Sequence, residues 1–311
     1  MSSVVTLKTT VGYLWRLPLC AVAYVVGAMA GGALVSALGL PLPEVPEQAN
    51  GETMGQYLVV GSLVLAVGLA PLARRMQGAY WVRWLALAAL CYVCLGVNTP
   101  IEAAIFTNIG GMMTIPIFSL WPCLLFGAVM ALLFKPAEAG DPILDNARRF
   151  FGGRSAGQWA WRLAVAVCAF PVIYWTFGSM VAPFVIEYYR QGQFGLALPH
   201  GGAIIAVQLL RSTLFLVAAL PILMAWSGSR LRLTLALGLA FYVLAGLFGL
   251  IQSSWLAPTL LVLHNIEIFA DSMVYALVLV LLLMPGDATR ADERFSRLPL
   301  CMAQAQTPVG S

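Results

Sequence analysis

The sequence predicts an all-α, polytopic membrane protein with about eight transmembrane helices in two parallel four-helix repeats. Of its 311 residues, 61% are hydrophobic and only 10% are charged, whereas soluble domains carry about 25% charged residues. The mean hydropathy is +0.88. Long apolar segments recur along the chain, and Lys and Arg are concentrated in alternate connections. These observations predict a chain embedded in a lipid bilayer.

A bilayer-spanning helix needs about 20 mostly apolar residues, and eight segments meet this requirement. They lie at 17–40, 57–73, 82–97, 101–134, 163–184, 203–226, 233–250 and 258–284. The fourth is too long for one straight span, and Gly110-Gly111, Pro116 and Pro122 are expected to break or bend it. One interpretation is a short loop or half-helix followed by an ordinary span from about Met113. The other is a re-entrant segment at 101–112, which needs burial within the protein.

The first apolar segment has features of a signal peptide. Lys8 and Arg16 precede it, and Ala-Met-Ala at 28–30 resembles a cleavage site. The apolar run continues past that site and belongs to a repeat, so we expect it to stay attached. In the same segment Gly27-x-x-x-Gly31 predicts close packing against another helix.

An internal repeat divides the chain into two halves. Trp15-Arg16-Leu17 recurs as Trp161-Arg162-Leu163, an offset of 161 − 15 = 146 residues. Pro136 and Pro285, which close the fourth and eighth spans, are offset by 149. Eight further residues recur at an offset of 150: Pro71 with Pro221, Gly78 with Gly228, Leu85 with Leu235, Ala86 with Ala236, Leu87 with Leu237, Tyr92 with Tyr242, Val93 with Val243 and Gly96 with Gly246.

The repeat and the span count predict the domain organisation. Residues 1–136 form a first four-helix transmembrane unit, 137–158 a cytoplasmic linker, 159–285 a second four-helix unit and 286–311 a cytoplasmic tail. Because four spans per unit is an even number, both units insert in the same direction and are related by an axis along the membrane normal.

The distribution of Lys and Arg predicts the orientation. The basic residues of alternate connections are Lys8, Arg16, Arg74, Arg75, Arg83, Lys135, Arg148, Arg149, Arg154, Arg162, Arg230, Arg232, Arg290, Arg294 and Arg297. The connection after the first span carries Glu44, Glu47 and Glu52 instead. By the positive-inside rule, both termini are cytoplasmic, and we predict an integral protein of the cytoplasmic (inner) membrane. Within the linker, Arg148, Arg149 and Arg154 flank two phenylalanines, a pattern that fits an interfacial segment on an anionic leaflet or a solvated loop.

Ionisable residues inside the apolar spans are the candidate functional site. Such residues are expensive at membrane depth and usually mark function. In the eighth span His264, Glu267, Asp271 and Tyr275 fall within a narrow arc, and in the sixth span Gln208, Arg211 and Ser212 share one face. The candidates for substrate binding or proton coupling are Arg211, Glu267, Asp271, His264, Gln208, Asn265, Tyr275 and Glu102.

The sequence predicts an ion pair between the sixth and eighth spans. Arg211 lies about nine residues inside the outer end of its span and Glu267 nine residues after Pro258, so each is roughly 13 Å deep. Asp271 is about one turn deeper. Opposite charges at one depth are natural partners, since an unpaired charge there is costly. We therefore expect Arg211 to pair with Glu267 or Asp271.

Glu102 has two interpretations. Thr99-Pro100-Ile101-Glu102 is typical of a helix start, with Thr99 as the cap, Pro100 at the first position and Glu102 closing a capping box. Alternatively, Glu102 faces the cavity of the Arg211 cluster from the first unit.

Neither a cofactor nor a metal is expected. The sequence contains no phosphate-binding loop, no nucleophile elbow and no His-Glu-x-x-His motif. His264, Glu267, Asp271 and His200 are ligand types that zinc uses, but Arg211 competes for the carboxylates. Cys91-x-x-Cys94 sits in an apolar helix without polar partners, which favours packing. No basic run suggests a nucleic-acid partner.

Three classes of function fit these features. The leading one is a permease for a small, possibly anionic, solute: Arg211 binds an anionic group or releases a carboxylate, and Glu267 or Asp271 carries a coupling proton. The second is a membrane-embedded enzyme acting on a lipid or peptide, with His264 as base or ligand and Glu267 as acid. The third is a non-catalytic scaffold or assembly subunit whose ion pair is structural.

Overall fold

The structure, a computed structural model, describes residues 2–42, 51–136 and 143–285. For residues 2–11, 13, 51 and 52 it describes the backbone alone. Several predictions therefore fall outside the described residues: the start of the linker (137–142), the tail (286–311) with Arg290, Arg294 and Arg297, and the residues Glu44 and Glu47.

Within the described ranges the chain is helical, with two isolated β-bridges and no strand. The α-helices are Ser2–Ala37, Gly51–Ala73, Tyr80–Cys91, Thr99–Phe106, Ile115–Leu133, Ile143–Gly152, Ala156–Arg190, Gly201–Ala225, Arg230–Tyr242, Phe248–Gln252 and Pro258–Leu283, with π-helical segments at Tyr92–Asn98 and Val243–Leu247. In the part of the chain that the structure describes, eight helices are long and apolar enough to cross a membrane: Leu14–Ala37, Thr53–Ala73, Tyr80–Phe106, Met112–Leu133, Ala156–Arg190, Gly201–Ala225, Arg230–Gln252 and Pro258–Leu283. The predicted all-α fold is confirmed for the described residues, and these eight long apolar helices support the predicted multi-pass arrangement.

The expected break in 101–134, with an ordinary fourth span from about Met113, is confirmed, but the end of the third span at residue 97 was predicted wrongly. The third span runs without a break from Tyr80 to Phe106, and its π-helical segment shifts the hydrogen-bond register just before Pro100, which has no N–H to donate. Residues 101–106 therefore complete the third span, and the stretch 101–112 contains no separate re-entrant helix. The fourth span begins at Met112, after a turn in which Gly111 has a φ of +74°.

The expected capping box is also absent. No side chain caps the helical segment that begins at Thr99, because the helix is already continuous at that point. The Thr99 hydroxyl instead donates to the carbonyl of Cys94 at 3.0 Å, inside the π-helical turn. Glu102 is thereby left available for a partner on another helix.

The spans pack in a regular order. Spans one and three lie against span four, and spans five and seven lie against span eight. Span two contacts span seven, while span six contacts span three. A continuous apolar core fills the space between them, with Phe126, Leu65 and Tyr275 among its fully buried side chains. The contacts of spans three, five, six and eight bring the polar candidates together.

The predicted close packing at Gly27 and Gly31 is confirmed, and the partner is the fourth span. A Cβ atom on Gly27 would lie 2.4 Å from the Cα of Pro122, and one on Gly31 would lie 2.2 Å from the carbonyl oxygen of Phe118. Backbone therefore meets backbone at both positions, which only glycine permits.

Most of the described arginines gather at one end of the bundle, here called the arginine-rich end, where spans four and eight finish. Arg83, buried there, donates to the carbonyls of Ala131 at 2.7 Å and Phe134 at 2.6 Å. Helix C-termini leave carbonyls unpaired and carry partial negative charge, so these contacts stabilise the span. Three arginines do the same for the last carbonyls of span eight: Arg154, Arg162 and Arg230.

The second part of the linker is a helix. Ile143–Gly152 turns Phe150 inward against Trp159, and the Trp159 indole donates to the carbonyl of Phe151 at 3.1 Å. The solvated-loop interpretation is therefore wrong for these residues. Leu144 points outward with 68% of its surface exposed, and contact of this helix with an anionic leaflet stays a prediction.

Antiparallel bridges join connections at both ends of the bundle. At the arginine-rich end, Met76 pairs with Trp226 through hydrogen bonds of 2.7 and 2.9 Å between residues 75–77 and 225–227. At the other end, here called the opposite end, Thr107 pairs with Leu196. The first bridge ties the turn after span two to the turn after span six, and the second ties the ends of spans three and five.

Candidate functional site

Arg211 lies near the middle of the sixth span and is 3% exposed. Its Nη1 group donates to the Glu102 carboxylate and to the Gln208 side-chain oxygen, the latter at 3.0 Å. The guanidinium also stands 5.8 and 5.7 Å from the ring centroids of Phe170 and Phe215, within reach of cation–π attraction. Arg211 therefore joins the third, fifth and sixth spans.

The expected pairing of Arg211 with Glu267 or Asp271 is wrong, because its ion-pair partner is Glu102. The depth of a residue along its own span does not determine which neighbouring span it contacts. The third span continues past Pro100 and carries Glu102 against the sixth span. The alternative interpretation of Glu102, in which it faces the same cavity as Arg211, is confirmed.

Glu267 pairs with a histidine on its own helix. The Nδ1 atom of His264 lies 2.9 Å from Oε2 of Glu267, and Nε2 of the same ring lies 3.1 Å from the hydroxyl of Tyr189 on the fifth span. Both ring nitrogens are thus engaged. The result is a hydrogen-bonded chain that runs from Tyr189 to Glu267.

Asp271 is the one buried carboxylate of the cluster for which the described residues provide no ion pair. It is 5% exposed, lines the cavity, and its Oδ1 has no hydrogen-bond partner among the described residues. Glu267, Glu102 and Arg211 all lie close enough to act on it electrostatically. An ionised carboxylate in such a place costs several kcal/mol, a cost removed by a bound cation or a proton.

A small cavity of about 30 Å³ lies between spans three, five, six, seven and eight. In this conformation it leaves room for about one or two water molecules among its walls. Buried polar atoms beside it lack partners within the described chain: Arg211 Nε, Gln208 Nε2, Asn98 Oδ1 and Asp271 Oδ1. The lining residues are Glu102, Phe170, Tyr174, Arg211, Phe215, Phe241, Ala245, Ile268, Asp271, Ser272 and Tyr275.

Of the two remaining predicted site residues, Tyr275 lines the cavity and Asn265 does not. The Tyr275 hydroxyl lies 3.0 Å from the Ser212 hydroxyl, so it lines the cavity and braces the eighth span against the sixth. Asn265 is not brought to the cavity, because its side chain accepts a hydrogen bond from Tyr242 at 2.5 Å. It therefore fixes the seventh span to the eighth beside the site.

Sequence reasoning missed the aromatic walls and the role of Tyr189. Phe170 and Tyr174 line the cavity from the fifth span, but an aromatic residue in an apolar helix is ordinary core composition. Tyr189, near the end of the fifth span, contacts His264. The spacing of Phe170 and Tyr174 could have indicated a shared surface, since residues four apart lie on the same helix face.

The structure offers no arrangement for a metal centre in the described residues. No group of three or more His, Cys, Asp and Glu side chains there is placed to hold a metal ion. His264 has no free ring nitrogen to ligate one, because its two nitrogens contact Glu267 and Tyr189.

No protein-family model matches the chain, and no curated protein or solved structure matches it either. The buried cluster and the eight-span fold are thus the two features that indicate its function.

Proposed function

We propose that the chain is a permease of the cytoplasmic membrane, which moves a small solute through the cavity at Arg211, Glu102 and Asp271. One observation carries the proposal: three ionisable side chains from three different spans face a single cavity, and two of them, Arg211 and Asp271, lie near the middle of their spans. Ionisable groups at such depth mark solute and ion pathways, and transporters place their sites there.

The unpartnered atoms favour a permease over a scaffold. A structural ion pair is stable when its hydrogen bonds are satisfied within the protein. Here Arg211 Nε and Asp271 Oδ1 both lack partners in the described residues, and both residues line the same cavity. An unpartnered donor and an unpartnered acceptor beside the same cavity indicate a binding site for a polar solute, ion or water molecule.

The same geometry favours transport over catalysis. The enzyme interpretation assigned base or ligand chemistry to His264, yet both of its ring nitrogens are engaged. His264 and Glu267 also do not line the cavity. A substrate in the cavity would therefore meet Arg211 and Asp271 rather than the histidine.

The ion pair between Arg211 and Glu102 restricts the class of solute that can bind. Arg211 is already neutralised by Glu102, so an anionic solute binds only where it displaces that carboxylate from the guanidinium. The present cavity is narrow, which corresponds to a closed state between the two open states of an alternating-access cycle. A small solute is the class that this cluster fits.

We also propose the arrangement into two parallel units, 1–136 and 159–285, joined by the linker and followed by the cytoplasmic tail 286–311. The bridge pairs Met76 with Trp226, at an offset of 226 − 76 = 150 residues, which is the offset of the sequence repeat. An antiparallel bridge between equivalent residues is what a two-fold axis produces. π-Helical segments also recur around Gly96 and Gly246, at the same offset.

The same aromatic contact is found within each of the two proposed units. The rings of Tyr24 and Phe126 lie 5.9 Å apart, and those of Phe170 and Tyr275 lie 5.0 Å apart. These pairs are equivalent at offsets of 146 and 149 residues, the same offsets as in the sequence repeat. The similarity supports the two-unit arrangement of parallel-repeat transporters.

The polar site has no counterpart in the first unit. Gly61 occupies the position equivalent to Arg211, and the ring of Phe248 lies against it, 2.9 Å from where a Cβ would stand. We therefore propose a single solute site in the described chain, formed mainly by the second unit with Glu102 from the first.

A ligand screen followed by an uptake assay tests the permease. We expect a small solute to raise the melting temperature of wild-type protein in detergent. At a concentration of 100 Kd, binding adds about 2.7 kcal/mol to the free energy of unfolding. Arg211→Met is expected to abolish this shift. Glu187→Gln, a change at a carboxylate whose side chain is 62% exposed, is the matched control and should keep it.

The compound that shifts the melting temperature is then supplied as a radiolabelled solute to proteoliposomes. Uptake by wild-type protein and by Glu187→Gln, with none by Arg211→Met, is the expected result. If the solute binds at the cluster and is never taken up, the permease proposal is overturned.

The orientation is tested by reporter fusions. Because the span number is even and the Lys and Arg residues lie in alternate connections, fusions at residue 140 and after residue 290 should report cytoplasm. A fusion near residue 48 should report the outside. An external signal at residue 140 would contradict the four-plus-four arrangement.

A further inference from the structure

We propose that the coupling ion is a proton, which Asp271 takes up and releases and which reaches it from the opposite end along Tyr189, His264 and Glu267. This inference rests on the proposed permease and names the ion that drives it. Intramembrane chains of Asp, Glu and His are the relays of proton-coupled proteins.

Asp271 is the exchange group because, among the described residues, its carboxylate has no ion pair and its Oδ1 accepts no hydrogen bond. Arg211 from the sixth span acts on it electrostatically but is held by Glu102 from the third span. Tyr174 faces the cavity from the fifth span, whereas Tyr242 of the seventh is bonded to Asn265. On its own helix Asp271 neighbours Glu267 and Tyr275. A proton removes the charge of Asp271 in a cavity that admits only one or two waters.

The spacing of the ionisable residues on the eighth span indicates the path of the proton. His264, Glu267 and Asp271 are three and four residues apart, so they follow one another along one helix face. Side-chain exposure falls from 22% at His264 to 9% at Glu267, and Asp271 is 5% exposed. The chain of groups therefore runs from the surface towards the cavity.

Gly178 of the fifth span keeps room for the Glu267 carboxylate. A Cβ atom at this position would lie 3.1 Å from Oε1 of Glu267, the oxygen that does not contact His264. Glycine thus leaves the carboxylate free to turn towards Asp271, about 6 Å further along the helix axis. A larger residue would restrict that movement without changing any titratable group.

The transfer conserves protons at every step. The Tyr189 hydroxyl gives its proton to Nε2 of His264 as it takes one from the aqueous side, and the imidazolium releases its Nδ1 proton to Oε2 of Glu267. The histidine is then neutral with its proton on Nε2, and tautomerisation returns that proton to Nδ1. Glu267 passes the proton through a water molecule to Oδ1 of Asp271 and returns to carboxylate, so the net change is one proton moved from bulk to Asp271.

Protonation of Asp271 controls the ion pair between spans three and six. When Asp271 is neutral, Glu102 is the one ionised partner that the described residues give Arg211. When Asp271 is ionised it competes with Glu102, since Arg211 Nε is unpartnered in the described residues. Proton release therefore weakens the contact that holds span three to span six, which shifts the population of conformations.

Infrared difference spectroscopy of the full chain in liposomes tests the exchange group with the proton itself as probe. Wild-type protein and Glu187→Gln should show a carboxylic acid C=O band that disappears as pH is raised. Asp271→Asn, a change of nearly equal shape, should lack this band. Survival of the band in Asp271→Asn would overturn the assignment.

Deuterium exchange tests the route. In D₂O the same band shifts as the acid is deuterated, and we expect this exchange to be at least tenfold slower in His264→Gln and in Gly178→Val than in wild type. Gly201→Ala on the sixth span is the control for an added Cβ, because its nearest neighbour would be 4.0 Å away. Exchange at the wild-type rate in either route variant would overturn the path.

These outcomes are distinguishable from failure of the permease. The infrared band requires no solute, so a chain that shows the band but takes up nothing contradicts the permease alone. A chain that takes up solute but lacks the Asp271 band contradicts the proton proposal alone.

Discussion

Arg211→Ala is expected to lower the free energy of unfolding by about 3–5 kcal/mol, the range for removing one partner of a buried pair. The guanidinium is almost fully buried and its removal leaves Glu102 and Asp271 facing one cavity without a cation among the described residues. The Glu102 side chain is 26% exposed, so water compensates part of its charge. The loss should therefore fall towards the lower end of this range, measured by reversible unfolding in detergent micelles.

Double-mutant cycles identify the partner. We expect the Arg211→Ala and Glu102→Ala pair to cost less than the two single changes summed, with a coupling energy of about 1–3 kcal/mol. The coupling of Arg211→Ala with Glu267→Ala should be smaller, because Glu267 is bonded to His264 instead. The exposed Glu187→Ala should show additivity within about 0.5 kcal/mol. A larger coupling to Glu267 than to Glu102 would contradict the observed pairing.

The number and order of the spans could be predicted because they follow from hydropathy and length. Burial in a bilayer selects apolar runs of sufficient length, and the eight segments of the sequence correspond to the eight helices of the structure. The boundary after the third span could not be predicted in this way. Hydropathy does not distinguish a helix that continues through Pro100 from a new helix that begins there, and the π-helical register shift has no sequence signature.

The members of the site were predictable, whereas their pairing was not. Ionisable residues in apolar spans attract notice by composition alone, so Arg211, Glu267 and Asp271 were found. Pairing depends on how each helix is rotated and which helices touch. The contact of span six with span three, rather than depth, brings Arg211 to Glu102. The position of a residue along the sequence determines neither the rotation of its helix nor the helices that it contacts.

Close packing of spans one and four was predictable from Gly27-x-x-x-Gly31 because the signal is the absence of side chains. Two glycines four residues apart form a flat strip on one face of a helix, and a second helix approaches it until backbone meets backbone. The partner was not predictable, since the motif describes only one of the two surfaces. The structure identifies it as the fourth span, at Phe118 and Pro122.

Gly31→Ala is expected to destabilise the bundle by about 1–3 kcal/mol, and Gly31→Leu by more, because added atoms in a packed interface force the helices apart. The new Cβ would lie 2.2 Å from the carbonyl oxygen of Phe118, a distance that no side-chain rotation relieves. Unfolding in detergent measures the loss. Disulfide trapping between cysteines introduced on spans one and four measures the separation.

Gly32→Ala is the matched control, since its Cβ would lie 3.8 Å from the Phe118 ring, an ordinary contact. Alanine is favoured over glycine within a helix by up to about 1 kcal/mol, so Gly32→Ala should be neutral or slightly stabilising. The two adjacent substitutions should thus change stability in opposite directions, because only Gly31 faces the backbone of span four. Equal effects at both positions would mean that spans one and four do not meet at Gly31.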